Sequence, residues 1–95
     1  MFDTMDEVRT ANEAIGHYFF SPATRRFFRS RIGSKLYGSK YFVTSEQFDD
    51  NSPRLYTIRY VYPDGSITTI GNFQQYVSRG DAVRSIEHLL GRGIE

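Results

Sequence analysis

Leu55-Tyr56-Thr57-Ile58-Arg59-Tyr60-Val61-Tyr62 runs into Pro63-Asp64-Gly65 and returns through Ser66-Ile67-Thr68-Thr69-Ile70-Gly71-Asn72-Phe73. β-branched and aromatic residues fill both arms, which suits a pleated strand. Side chains alternate across a strand, so Tyr56, Ile58, Tyr60 and Tyr62 share one face and Leu55, Thr57, Arg59 and Val61 the other. The even set is expected to face the core, and Arg59 to point away from it. Proline presets φ and glycine takes the left-handed position, so Pro63-Asp64-Gly65 reads as the hairpin turn. The returning strand spans 66–73, with Gly71 as the bulge position.

Outward from this hairpin the chain punctuates itself. Tyr41-Phe42-Val43-Thr44 reads as one more strand, and Asp49-Asp50-Asn51-Ser52-Pro53 as a polar loop. A first helix is expected over 5–15, capped by Thr4 with Glu7 three residues on. Its apolar positions are Met5, Val8, Ala11 and Ile15, and Gly16 stops it. A second helix is expected from Pro22 to Ser30, with Ser21 as its cap and proline at its first position. On that helix Arg25, Arg26 and Arg29 share one arc of about 100°, and Phe27 and Phe28 fall on the buried side. The last helix is expected over 79–90, capped by Ser78 and ended by Gly91. Ala82, Val83, Ile86, Leu89 and Leu90 form its apolar face.

These elements predict an α+β fold in the order α-α-β-β-β-α. It is a two-layer domain, a three-stranded antiparallel sheet with the helices packed on one face. The other face, with Arg59, is expected to stay open. The 95 residues suffice for a single domain over 1–95. Aromatics make up 16% of them, all Phe and Tyr, enough for a core without staples.

The chain has no cysteine, which excludes disulfides, thiol nucleophiles and Cys-ligated metals. No apolar run approaches the ~20 residues of a membrane span. The start, Met1-Phe2-Asp3-Thr4-Met5-Asp6-Glu7, lacks the basic and apolar stretches of a signal peptide. A cytoplasmic location is expected, away from membranes.

Net charge is only +1, but it is unevenly placed. Residues 21–45 hold Arg25, Arg26, Arg29, Arg31, Lys35 and Lys40 and no acid. Such a block suits phosphate binding, where each neutralised phosphate releases counterions, and aromatics between the cations can stack on bases. The plainer reading buries Phe27 and Phe28 and pairs the arginines with Asp3, Asp6, Glu7 or Glu13.

Catalytic patterns fail on inspection. Gly33 to Lys40 inverts the Gly-Lys-Ser/Thr order of a phosphate loop. His17 and His88 lack ligand spacing, and Asp49-Asp50-Asn51 lacks the glycine and glutamate of a calcium loop. No serine sits in a nucleophile elbow. Arg79-Gly80-Asp81 spells an adhesion tripeptide, but helix capping accounts for it. The reading is a non-enzyme with no cofactor and no metal.

The stretch from Leu55 through Gly65 and Phe73 to Ala82 and Leu90 resembles the strand–strand–helix part of AP2-like and integrase arm-type DNA-binding domains. The resemblance rests on Tyr56-Thr57-Ile58-Arg59-Tyr60 and the Asp64-Gly65 turn. It implies that the sheet enters a DNA groove, with Thr57 and Arg59 facing the bases. The returning strand departs from that pattern, since Ser66 to Ile70 carries no charge. Phe19-Phe20-Ser21, Arg26-Phe27-Phe28 with Ser30-Arg31, Tyr41 to Phe48 and Phe73-Gln74-Gln75-Tyr76 resemble small uncharacterised proteins of bacteriophages that infect actinobacteria. That resemblance implies a phage setting, the cytoplasm of a host cell, and no assigned activity.

Two functions are therefore expected. The first is a nucleic-acid-binding module using Arg25, Arg26, Arg29, Arg31, Lys35 and Lys40, with Thr57, Arg59 and Arg79 beside the open sheet face. The alternative is a phage-encoded inhibitor that grips a host protein with the same arginines and exposed tyrosines. An open sheet edge or face also allows a homodimer.

Overall fold

The computed structural model describes residues 2–93. Its elements are α1 (Met5–Ala14), α2 (Pro22–Phe27), β1 (Arg31–Ile32), β2 (Tyr41–Gln47), β3 (Arg54–Val61), β4 (Ile67–Ile70) and α3 (Arg79–Gly93). The sheet is four-stranded and antiparallel in the order β1-β2-β3-β4. The expectation of three strands is therefore corrected to α-α-β-β-β-β-α, still an α+β fold. The added strand, β1, is only two residues long and shows no alternation to read. It is held by register, with Arg31 opposite Ser45 and Ile32 opposite Thr44. The Gly33 N–H then donates to the Val43 carbonyl at 2.8 Å.

The helices do not share one face, which is a second correction. Val43 and Ile58 pack with Ala82 and Ile86 of α3, joined by Tyr41, Tyr56 and Leu90. Phe42 and Val61 instead pack with Val8 of α1, joined by Met5, Phe19, Phe20 and Ile32. Successive residues Phe42 and Val43 thus feed opposite cores, as strand alternation requires. The sheet lies between α3 on one side and, on the other, α1 with the segment after it. Each large side chain buried this way contributes about 1.5–3 kcal/mol.

Local signals account for the helix starts. The Glu7 N–H donates to Thr4 Oγ1 at 3.2 Å, and the Thr4 N–H donates to Glu7 Oε1 at 3.0 Å. This reciprocal cap satisfies two orphan donors of α1. The Asp81 N–H donates to Ser78 Oγ at 3.1 Å at the head of α3. The end of α1 falls where expected, with Ile15 as its cap and Gly16 left-handed at φ 81°; the ends of the other two helices do not. α2 stops at Phe27, and Arg29 turns left-handed with φ 49°. The Ser30 N–H reaches back to the Arg25 carbonyl at 2.8 Å and closes that end. α3 continues through Gly91 to Gly93, beyond the expected stop.

The hairpin turn forms where expected. The Gly65 N–H donates to the Tyr62 carbonyl at 2.9 Å, and Gly65 has φ 98°. The turn packs against α1, where buried Asn12 Nδ2 donates to the Gly65 carbonyl at 2.9 Å. The returning strand ends at Ile70, short of 73. Ile70 faces Ile58, and the next contact is an isolated bridge of Tyr76 to Tyr56. Residues 71–75 therefore answer to the single β3 position Thr57, and the excess loops out. Gly71 opens this loop with φ 75°. Among the described residues, no helix is long and apolar enough to cross a membrane.

Candidate interaction surface

The face expected to be open is filled. Thr57 is fully buried, and the Arg59 side chain is 13% exposed. Arg59 Nη2 donates to Glu46 Oε2 at 3.2 Å, Nη1 to Thr69 Oγ1 at 2.6 Å and Nε to Thr44 Oγ1 at 3.0 Å. Thr57 Oγ1 donates to Glu46 Oε1 at 2.8 Å and accepts from the Gln74 N–H at 2.8 Å. Each member thereby finds partners away from water, which is what lets so polar a set lie inside. Burial pulls the Arg59 guanidinium below its ordinary pKa, and the Glu46 carboxylate opposes that pull. The DNA-facing role implied for Thr57 and Arg59 is corrected on this geometry. Thr57 reaches no surface, and Arg59 is committed to Glu46.

Phenylalanines roof this network. The Arg59 guanidinium lies 5.2 Å from the Phe19 ring centroid and 5.5 Å from that of Phe73. Phe73 is delivered by the looped-out residues 71–75, and it meets Phe28 edge-on at 5.9 Å. Phe28 in turn meets Phe27 at 4.8 Å. Phe27 is 80% exposed and Phe48 is 85% exposed, while Phe28 and Phe73 are each more than two-fifths exposed. Phe27, Phe28, Phe48 and Phe73 line one cleft of about 290 Å³. Phe28 and Phe73 also wall a second cavity of about 350 Å³, with Phe19, Thr24 and Ile32 around it and Arg59 within its lining.

The expected burial of Phe27 and Phe28 under α2 is thus overturned. With six residues, α2 has no buried residue at all. Its C-terminal end is tied to the sheet, since the Gln47 N–H of β2 donates to the Phe28 carbonyl at 3.4 Å.

The basic block does not form one surface. Arg25 lies in a separate cleft with Met5, Asp6, Arg9 and Phe20. Arg26 is exposed on α2, and Arg29 pairs with Asp50 at the surface. Lys35 sits over the Tyr37 ring at 5.0 Å and Lys40 over Tyr41 at 5.7 Å. Arg31 and Arg79 lie on the α3 side of the sheet, joined by Arg54. The pairing of the arginines with α1 acids is not found among the described residues; Asp6 pairs with Arg9 instead. Sequence reasoning missed Phe48, Phe73 and Arg54 as surface-forming residues. Phe48 carried a signal, a lone aromatic beside a polar loop, whereas Phe73 depends on the looped-out register.

The fold and this surface define a small α+β domain with a buried charged layer under exposed aromatic rings. A family of unknown function, DUF7447, matches residues 4–87, and the chain belongs to that family. No curated protein and no solved structure matches it.

Proposed function

We propose that this protein is a non-catalytic binding domain that docks on a partner protein through Phe27, Phe28, Phe48 and Phe73. The observation that carries the reading is the convergence of these rings at the surface, two of them almost fully exposed. Exposed contiguous aromatics are costly in water and typical of interfaces. Burying the exposed Phe27 and Phe48 on a partner contributes about 1.5–3 kcal/mol each, and the already half-buried Phe28 and Phe73 contribute less. The second cavity, beside Phe28 and Phe73, suits one apolar side chain of the partner as an anchor.

Charge favours a different protein over a second copy of this chain. Asp49 is held within its own turn by Ser52 and Asn51, and Asp50 by Arg29. Arg26, exposed and next to Phe27 in the chain, has no acidic partner among the described residues. A two-fold dimer would set like charge near like charge. The complementary partner offers an apolar side chain with acidic neighbours. In the phage setting that the sequence resembles, that partner is a host protein, and the compartment is the host cytoplasm. The sheet face with Thr57 and Arg59 is covered, which disfavours nucleic-acid binding there.

The test is affinity capture from nuclease-treated host lysate, followed by calorimetry with the purified captured protein. Phe27→Ser with Phe48→Ser is expected to weaken that binding at least a hundredfold while the fold persists. Binding that ignores the phenylalanines overturns the reading. Capture lost on nuclease treatment would assign the arginines to nucleic acid. A concentration-dependent dimer abolished by Phe48→Ser would assign the surface to a second copy.

A further inference from the structure

The α3 side of the sheet carries a separate site, independent of the phenylalanine surface. Arg31 of β1, Ser45 of β2 and Tyr56 of β3 stand in one cross-strand row. Serine is the short member of that row, and a hollow of about 210 Å³ opens over it. Arg31, Arg54 and Arg79 all line this hollow. They arrive from two strands and from the first residue of α3. Among the described residues, none of these arginines makes an ion pair.

Two costs are built into this arrangement. Guanidiniums brought together without a carboxylate repel one another. Arg79 also opens a helix, where the macrodipole disfavours a cation. An anion seated between the guanidiniums turns both costs into attractions.

We propose that this hollow binds a phosphate dianion, either free or as the terminal group of a phosphate monoester. Guanidinium forks match phosphate oxygens in spacing and direction. Arg54 is already positioned, since its Nη1 donates to Ser45 Oγ at 3.0 Å, the Ser45 carbonyl at 3.1 Å and the Arg29 carbonyl at 2.9 Å. Among the described residues its Nη2 and Nε make no hydrogen bond and remain for a ligand. Ser45 Oγ accepts from Arg54 and keeps its own proton to donate. Arg79 is steadied by the Tyr37 hydroxyl, to which its Nη2 donates at 3.2 Å. Arg31 has no side-chain hydrogen bond among the described residues and is exposed, free to close over the ligand. Convergent cations favour a dianion over a monoanion, and the hollow is too small to seat a nucleic-acid duplex.

The test is calorimetry on the whole chain at constant ionic strength and about pH 7.5, where a phosphate monoester is mostly dianionic. Inorganic phosphate is expected to bind with a Kd near or below about 1 mM. Arg31→Gln and Arg79→Gln, both at exposed positions, are each expected to weaken binding at least tenfold without changing the circular dichroism spectrum. Arg84→Gln serves as the control, because Arg84 is paired with Asp81, and it is expected to bind as the parent does. A nucleoside 5′-monophosphate that binds more tightly than inorganic phosphate identifies an ester as the ligand; equal affinity identifies free phosphate. Absence of phosphate binding, or binding unchanged by both arginine substitutions, overturns the site. A phosphodiester dinucleotide that binds as tightly as phosphate overturns the dianion assignment.

Discussion

Glu46 is the residue on which the interior turns. It is 2% exposed, sits on a strand, and is tolerated only because Arg59 and Thr57 meet its oxygens. Arg59→Met alone leaves that carboxylate buried and unpaired, and is expected to cost about 3–5 kcal/mol in urea unfolding. Changing Glu46 and Arg59 together to apolar residues is expected to cost clearly less than the single change, because no orphan charge remains. Gly65 is equally constrained. With φ 98°, and with an added Cβ only 2.6 Å from the Ala11 backbone, it has room for no side chain. Gly65→Ala is expected to destabilise by more than about 1 kcal/mol, again by urea unfolding. Asp64, in the same turn, accepts from the Ser66 N–H and hydroxyl, and these hold its carboxyl below the usual range. A depressed folded pKa stabilises above the unfolded value, about 3.9, and that stabilisation fades as pH falls through the folded value. Asp64→Asn is therefore expected to flatten the acid limb of the stability–pH curve slightly, and to leave its slope near neutral pH as in the parent.

At the scale of elements, α2 and the 71–75 loop serve the surface more than the core. Phe27 is packed edge-on to Phe28 but otherwise faces water. Phe27→Ser is expected to shift stability by no more than about 0.5 kcal/mol. Phe73 is different, because it meets both Phe28 and the Arg59 guanidinium. Phe73→Ala is expected to cost about 1–2 kcal/mol. Equilibrium denaturation of the two variants side by side checks the contrast. The capping box of α1, the Ser78 cap of α3 and the 63–65 turn were legible, since each depends on residues within a few positions of one another. So was the end of α1 at Gly16, but the ends of α2 and α3 were not. Arg29 adopts a left-handed conformation that its side chain does not announce, and Gly91 stays helical although glycine is a common stop. β2 runs on through Ser45, Glu46 and Gln47, polar residues whose strand conformation depends on their partners in β3.

For the whole molecule, the decisive feature is a sheet with a core on each side. Val8 belongs to one core and Ile86 to the other, and both are fully buried. Ile86→Ala is expected to cost about 2–5 kcal/mol. Val8→Ala is expected to lower the same single unfolding transition, because both cores are built on β2 and β3. Two separate transitions by circular dichroism would refute that coupling. Alternation along Leu55–Val61 was enough to place Ile58 toward one core and to pair β3 with β4 through Pro63-Asp64-Gly65, because strand period and turn chemistry are local. The class, α+β, came from the same local signals. The face bearing Thr57 and Arg59 was misjudged for a physical reason. Two polar residues on a strand look solvent-facing until Glu46, eleven positions from Thr57, is known to lie on the same face of the neighbouring strand. The two-residue β1 exists only through its register with β2. Phe73 meets Phe28, and Arg31, Arg54 and Arg79 come to line one hollow, only once strands and helices far apart in the chain are brought side by side. Charge pairing, surface patches and anion sites are long-range properties, and no periodicity in the chain encodes them.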